Sequence, residues 1–68
     1  MIYFFFGDVE MKIYPDYFPA LIELAFARGF KIAEKLQDVE AEIPNDVYVD
    51  IDGEEMLELA ELLVAVVK

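Results

Sequence analysis

The stretch V-Y-V-D-I-D-G-E-E-M-L-E-L-A-E-L-L-V-A-V-V-K, residues 47–68, contains the clearest structural signals in the chain. Apolar β-branched residues occupy every second position from Val47 to Ile51, which predicts a strand. Asp52 follows as a helix N-cap. Glu55, three residues later, is placed to return a hydrogen bond to the backbone N–H of the cap residue. The segment therefore predicts a strand that leads directly into a helix beginning at Asp52.

The predicted C-terminal helix has two different faces. Glu54, Glu58 and Glu61 recur at spacings of four and three, which places them together on an outer face. The opposite face carries the apolar residues Met56, Leu59, Ala60, Leu63, Val66 and Val67. The helix is thus predicted to present an acidic rim beside a wide apolar stripe.

The first half of the chain predicts a hairpin followed by a helix. Ile2 to Phe6 is apolar on both alternating faces, as in a central strand covered on both sides, and Val9 to Tyr14 alternates. Gly7 and Asp8 form the turn between them. A helix is predicted from Asp16 to Arg28, with Gly29 after it as a left-handed cap.

The middle of the chain predicts further strands. Phe30 to Leu36 alternates as a third strand, and Gln37 to Asp46 is consistent with a charged edge strand that ends in a turn. The predicted order is strand, strand, helix, strand, an optional strand, strand, helix. This order indicates one small α+β domain, residues 1–68, in which two helices pack on a mostly antiparallel sheet.

Composition restricts the classes of function. The chain has 68 residues, of which 59% are hydrophobic, against roughly 45–50% in an average domain. So small a core cannot hide this surplus, so we expect a dimer or a partner interface. The chain has no His, Cys, Ser or Thr, and therefore lacks the usual nucleophiles and the ligands of a closed zinc site. We predict a protein that is not an enzyme and has neither a cofactor nor a metal.

Charge is distributed unevenly along the chain. Up to Gln37 there are five acids and four bases, whereas from Asp38 onward there are ten acids and only Lys68, within a net charge of −10. Such a field repels nucleic acid and membranes and attracts basic protein surfaces. No apolar run exceeds six residues, against about 20 for a membrane span. We expect a soluble, cytoplasmic protein that does not bind nucleic acid directly.

Two short motifs resemble known binding sequences. Residues 50–55, D-I-D-G-E-E, resemble part of an EF-hand calcium loop, although Tyr48 and Leu59 stand where that pattern requires ligands. Residues 11–18, M-K-I-Y-P-D-Y-F, resemble the short peptide that binds DNA sliding clamps. Met11 replaces its Gln and Tyr14 its aliphatic residue. A helix N-cap and a strand leading into a helix are the competing interpretations of these two motifs.

The leading hypothesis from the sequence is a regulator or inhibitor that mimics the charge of DNA. It would place its acidic half on a basic surface of a nucleic-acid-handling protein, such as a nuclease complex or a sliding clamp. In size and charge the chain is similar to small phage, viral and archaeal regulators. The predicted contact residues are Asp50, Asp52, Glu54, Glu58, Glu61, Tyr48, Tyr14, Tyr17 and Phe18.

Two alternatives remain open at this point. The first is a structural homo-oligomer, most simply a homodimer, in which the acids are merely solvated. Its predicted interface residues are Leu21, Leu24, Phe26, Leu62 and Val66. The weaker alternative is a divalent-metal-binding module at Asp50, Asp52 and Glu55.

Overall fold

The α+β architecture predicted from the sequence is confirmed in the computed structural model, which describes residues 1–43 and 45–67. Within these residues, three strands form one sheet and three α-helices pack on it. The elements in chain order are β1 (Ile2–Phe6), β2 (Val9–Ile13), a 3-10 turn (Pro15–Tyr17), α1 (Phe18–Ala27), α2 (Ile32–Glu40), β3 (Val47–Asp50) and α3 (Gly53–Val67). None of the described helices is long and apolar enough to cross a bilayer.

The sheet has the strand order β2-β1-β3, so β1 is central, as its composition predicts. β1 pairs antiparallel with β2 and parallel with β3, so the sheet is mixed and not mostly antiparallel as predicted. The described residues also form three α-helices where two were predicted. The tight turn joining β1 to β2 begins with Gly7, whose φ of +58° is available to glycine at little cost. β3 can lie parallel to β1 because α1 and α2 carry the chain back across the sheet.

The core lies between the helices and one face of the sheet. Ile2, Phe4 and Ile13 project from the strands onto buried Leu36 and Leu59 of the helices. The opposite sheet face is not covered by any described element, so the prediction that β1 is buried on both sides is wrong. The reason is size: a chain of 68 residues provides only one layer of helices for this sheet.

The end of α1 is a Schellman motif centred on Gly29. Gly29 has a φ of +68°. Its backbone N–H donates to the carbonyl of Phe26 (3.1 Å), and that of Phe30 donates to the carbonyl of Ala25 (2.9 Å). These two bonds satisfy carbonyls that a helix end otherwise leaves without partners. The predicted left-handed cap at Gly29 is therefore confirmed.

The segment after Gly29 corrects the sequence prediction. Phe30 to Leu36 is not a strand, and the described residues between Gln37 and Asp46 contain no edge strand, because Ile32–Glu40 is α2. Its buried residues Ile32, Leu36 and Val39 recur at spacings of four and three, the period of a helix rather than a strand. Ala, Glu, Lys, Leu and Gln, which favour helices, make up most of this element.

Several residues predicted to lie at interfaces belong to the core. Phe18, Leu21 and Leu62 are each 0% exposed, so they cannot line a binding surface of the folded chain. Leu24 and Val66 are half-buried and pack against the core. Of the predicted oligomer residues, Phe26 alone is largely accessible.

Candidate protein-interaction surface

The uncovered sheet face is a small grid of aromatic and charged side chains. Residues paired directly across a sheet point to the same face, so the register defines its rows. The first row is Lys12, Tyr3 and Tyr48, and the second is Glu10, Phe5 and Asp50, each written from β2 through β1 to β3. We call this surface the open face.

The rings of the open face stack on one another. Tyr3 and Tyr48 are nearly parallel, with ring centroids 4.9 Å apart and planes 9° apart. The centroid of Phe5 lies 6.2 Å from that of Tyr48. Lys12 Nζ lies 5.9 Å from the centroid of Tyr3, which is a cation–π distance. Because Tyr48 is 66% exposed, its ring still offers surface to a further planar cation.

The predicted N-cap of the C-terminal helix is confirmed as a capping box. The backbone N–H of Glu55 donates to Asp52 Oδ1 (2.8 Å), and that of Asp52 donates to Glu55 Oε1 (3.0 Å). Glu55 is buried and also accepts from Lys35 Nζ (2.9 Å). These carboxylates therefore serve the fold, and Glu55 has little surface to offer a ligand.

Lys31 binds the remaining oxygen of the cap residue. Its Nζ lies 2.7 Å from Asp52 Oδ2 and 3.6 Å from Glu54 Oε1. The hydrogen bond to Lys31 lowers the pKa of Asp52, and the backbone N–H of Glu55 lowers it further. The same hydrogen bond raises the pKa of Lys31. The start of α3 is thereby tied to the start of α2.

Glu58 also contributes to the fold. Its two carboxylate oxygens accept from the backbone N–H groups of Lys31 (3.0 Å) and Ile32 (2.9 Å), which begin α2. A carboxylate at this position satisfies donors that the helix leaves free and is favoured by the helix dipole. Glu54, Glu58 and Glu61 consequently do not act as one solvated row.

Most of the acidic side chains are not engaged in ion pairs with described residues. Of the 15 acidic side chains, Asp46, Asp52, Glu54 and Glu55 form ion pairs, and Glu58 is held by backbone N–H groups. The other ten are exposed and form no ion pair with a described residue. Asp50 and Glu10 of the open face are among them.

The sequence assigned Asp38 and Glu40 to the acidic half of the chain but did not show that they share the outer side of α2 with Glu34. All three are exposed on this helix, and Glu42 is exposed two residues after the helix ends. Glu34 and Asp38 are four residues apart, a spacing that becomes informative once the segment is read as a helix. Asp38 and Glu40 also lie near the negative end of the helix dipole, an unfavourable position for acids.

The predicted contact residues are thus divided among several places. Tyr48 and Asp50 lie together on the open face. Tyr14, which is 61% exposed, meets the half-buried Tyr17 edge-on, with centroids 6.4 Å apart. Glu61 is exposed on α3.

A second exposed surface runs along α3 away from the core. Leu57, Val64 and Val67 are 69%, 66% and 51% exposed. Together with exposed Ala60 they recur at spacings of three, four and three, which forms a narrow apolar stripe. We call this surface the α3 stripe.

Residues of both sequence motifs take part in the fold. In the clamp-peptide motif the second aromatic residue, Phe18, is in the core. In the part of the chain that the structure describes, no three acidic side chains converge as metal ligands do. Two members of the calcium-like motif, Asp52 and Glu55, instead face lysines.

Comparisons of the chain with protein families, with curated proteins and with solved structures found no match.

Proposed function

We propose that this protein is a non-catalytic, cytoplasmic interaction module that binds an arginine-rich segment of a partner protein on its open face. The proposal rests on one observation: an exposed ring stack and carboxylates lie on the same face of the sheet. Tyr3, Phe5 and Tyr48 supply ring faces, and Asp50 supplies charge beside them.

Arginine matches this surface better than other side chains do. Its planar guanidinium stacks on aromatic faces and binds a carboxylate through two parallel hydrogen bonds. Tyr48 and Asp50 alternate along β3 onto the same face, so one guanidinium can reach both a ring and a carboxylate. Lysine carries the same charge but lacks the planar group.

The charge of the molecule favours a basic partner of any shape. Ten exposed carboxylates, none of which pairs with a described cation, create a negative field that accelerates association with a cation. The same field opposes direct contact with phosphate groups, although aromatic rings on a sheet can stack on bases in other proteins. We therefore favour a protein ligand over a nucleic acid.

The partner class that follows is a nucleic-acid-handling protein. Such proteins concentrate Arg and Lys on the surface that contacts phosphate. A module that covers this surface would compete with nucleic acid and so inhibit or regulate the partner, as the sequence hypothesis also supposes.

The test compares two peptides of equal charge, octa-arginine and octa-lysine, by calorimetric titration at low and high salt. We expect octa-arginine to bind at least about tenfold more tightly, because stacking and paired hydrogen bonds add to the shared charge attraction. Both affinities should weaken with salt. Equal affinities for the two peptides would reject the proposed site.

Matched variants locate the binding. Tyr48→Ala should remove the preference for arginine, whereas Tyr14→Ala, which changes a tyrosine of similar exposure outside the ring stack, should keep it. Asp50→Asn and Asp38→Asn remove the same charge, one from the open face and one from α2. If the two charge variants weaken binding equally, only the overall field matters and the open face is not the site.

A further inference from the structure

The outer edge of β2 is self-complementary. We propose that two copies of the chain pair antiparallel through β2, with Met11 opposite Met11 of the second copy, to form one six-stranded sheet. This inference concerns the edge of the sheet and goes beyond the binding of a basic partner on its face.

Alternate residues of β2 direct their backbone N–H and C=O groups away from the sheet. The N–H of Ile51 donates to the carbonyl of Phe5 (2.9 Å), so odd-numbered residues of β1 direct their backbone groups toward β3. Even-numbered residues of β1 then face β2, where Phe4 is paired with Met11. On β2, alternation leaves the N–H and C=O groups of Glu10 and Lys12 pointing away from the sheet.

The outer edge of β2 is unpaired among the described strands. β2 is the last strand on its side of the sheet, and Val9, Glu10 and Lys12 are exposed. Neither Glu10 nor Lys12 forms an ion pair with a described residue. An open edge of this kind pairs readily with another strand unless something blocks it, and β2 contains no proline.

In one register of the β2 pair, opposite charges of the two copies face each other. The sequence Val9-Glu10-Met11-Lys12-Ile13 alternates apolar and charged residues around Met11. Centring the pair on Met11 places Glu10 opposite Lys12 of the second copy twice, and those two residues carry the outward-facing hydrogen-bonding groups. Centring on Glu10 or on Lys12 opposes like charges. Charge therefore selects one register.

Pairing through β2 brings the open faces of the two copies together. The twofold axis is perpendicular to the sheet, so both open faces lie on the same side of the joined sheet. Two ring stacks then share one surface, with Asp50 at the outer end of each. A long basic segment that reaches both would bind more tightly than one that reaches a single stack.

The test measures self-association by sedimentation equilibrium. We expect a reversible dimer with dissociation in the range of about 1–100 μM, since strand pairing over five residues makes a small interface. Lys12→Glu and Glu10→Lys each oppose like charges and should weaken the dimer at least about tenfold. The double variant Glu10→Lys/Lys12→Glu restores opposite charges in the same register and should return the affinity to within about threefold of the starting protein.

The double variant also guards against a trivial loss of folding, which circular dichroism melting of all four proteins checks. A chain that stays monomeric at the highest concentration, a dimer that survives Lys12→Glu, or a double variant that fails to recover would each overturn the inference. Leu57→Glu should leave the dimer intact, because Leu57 lies on the α3 stripe. A dimer lost only in that variant would instead place the interface on the stripe. A monomer that still prefers octa-arginine would leave the proposed function standing.

Discussion

Asp52 performs two tasks with one carboxylate. Its Oδ1 accepts the N–H of Glu55 to begin α3, and its Oδ2 binds Lys31 at the beginning of α2. An Asn in its place would keep the capping oxygen, because Asn is an equally good N-cap, but would lose the ion pair. The residue therefore offers a way to separate the local helix signal from the tertiary contact.

The first prediction concerns Asp52→Asn and pH. The pKa of Asp52 is lowered from its ordinary value of 3.8 in the folded chain, so its contribution to stability is present above that value and is lost as pH falls through the folded pKa. Asp52→Asn should therefore be less stable at neutral pH, and the difference should disappear well below pH 3.8. Urea unfolding of both proteins across this range measures it. A difference that stays constant with pH would show that the ion pair contributes nothing to stability.

Among the elements, α2 depends on a side chain of α3 to accept the backbone N–H groups at its start. Its cap residue, Lys31, makes no capping bond with its own side chain. Glu58 of α3 supplies the acceptors instead. A helix whose start is satisfied from elsewhere in the chain has no local start signal in its sequence.

The second prediction is that Glu58→Ala destabilises the protein by about 1–3 kcal/mol, because it leaves two backbone donors of α2 without their acceptors. Glu58→Gln keeps one acceptor oxygen and should cost less. Glu61→Ala is the control, since that exposed glutamate should change the unfolding free energy by no more than about 0.5 kcal/mol. Equal effects at the two positions in urea unfolding would contradict the capping role.

At the scale of the whole molecule, charge repulsion opposes folding. The net charge is −10, and the internal ion pairs involve only Lys31, Lys35 and the N-terminal amine among the described cations. The ten exposed carboxylates that pair with no described cation repel one another in the compact state more than in an expanded chain. Binding a basic partner would relieve part of this repulsion.

The third prediction is that salt stabilises the chain. Raising NaCl from about 0.01 M to 0.5 M should raise Tm by about 5 °C, because screening weakens the repulsion among exposed acids. The variant Asp38→Asn/Glu40→Gln, which removes two of these charges, should melt higher at low salt and gain less from added salt. A Tm that falls with salt would mean that the ion pairs of Lys31 and Lys35 outweigh the repulsion.

The elements whose signals are local could be predicted from the sequence alone. The capping box at Asp52, the left-handed cap at Gly29, the β1–β2 hairpin and the central place of β1 all follow from a few adjacent residues. Tyr48 and Asp50 were predicted as contact residues, and their exposure follows from alternation along β3. Such features depend on backbone chemistry within a few residues, which the sequence states directly.

The helical state of α2, the burial of several predicted interface residues and the open face depend on packing between distant segments. The segment from Ile32 to Glu40 has both an alternating and a helical apolar pattern, and packing against α1 together with the acceptors of Glu58 selects the helix. Phe18 and Leu21 in the first helix and Leu62 in the C-terminal helix were predicted to lie at interfaces, but the fold places all three in the core. The open face exists because Tyr3 and Phe5 of β1 become neighbours of Tyr48 and Asp50 of β3, and the residues of each pair are 45 positions apart along the chain. Contacts over such distances depend on how the elements pack, and no local pattern encodes that.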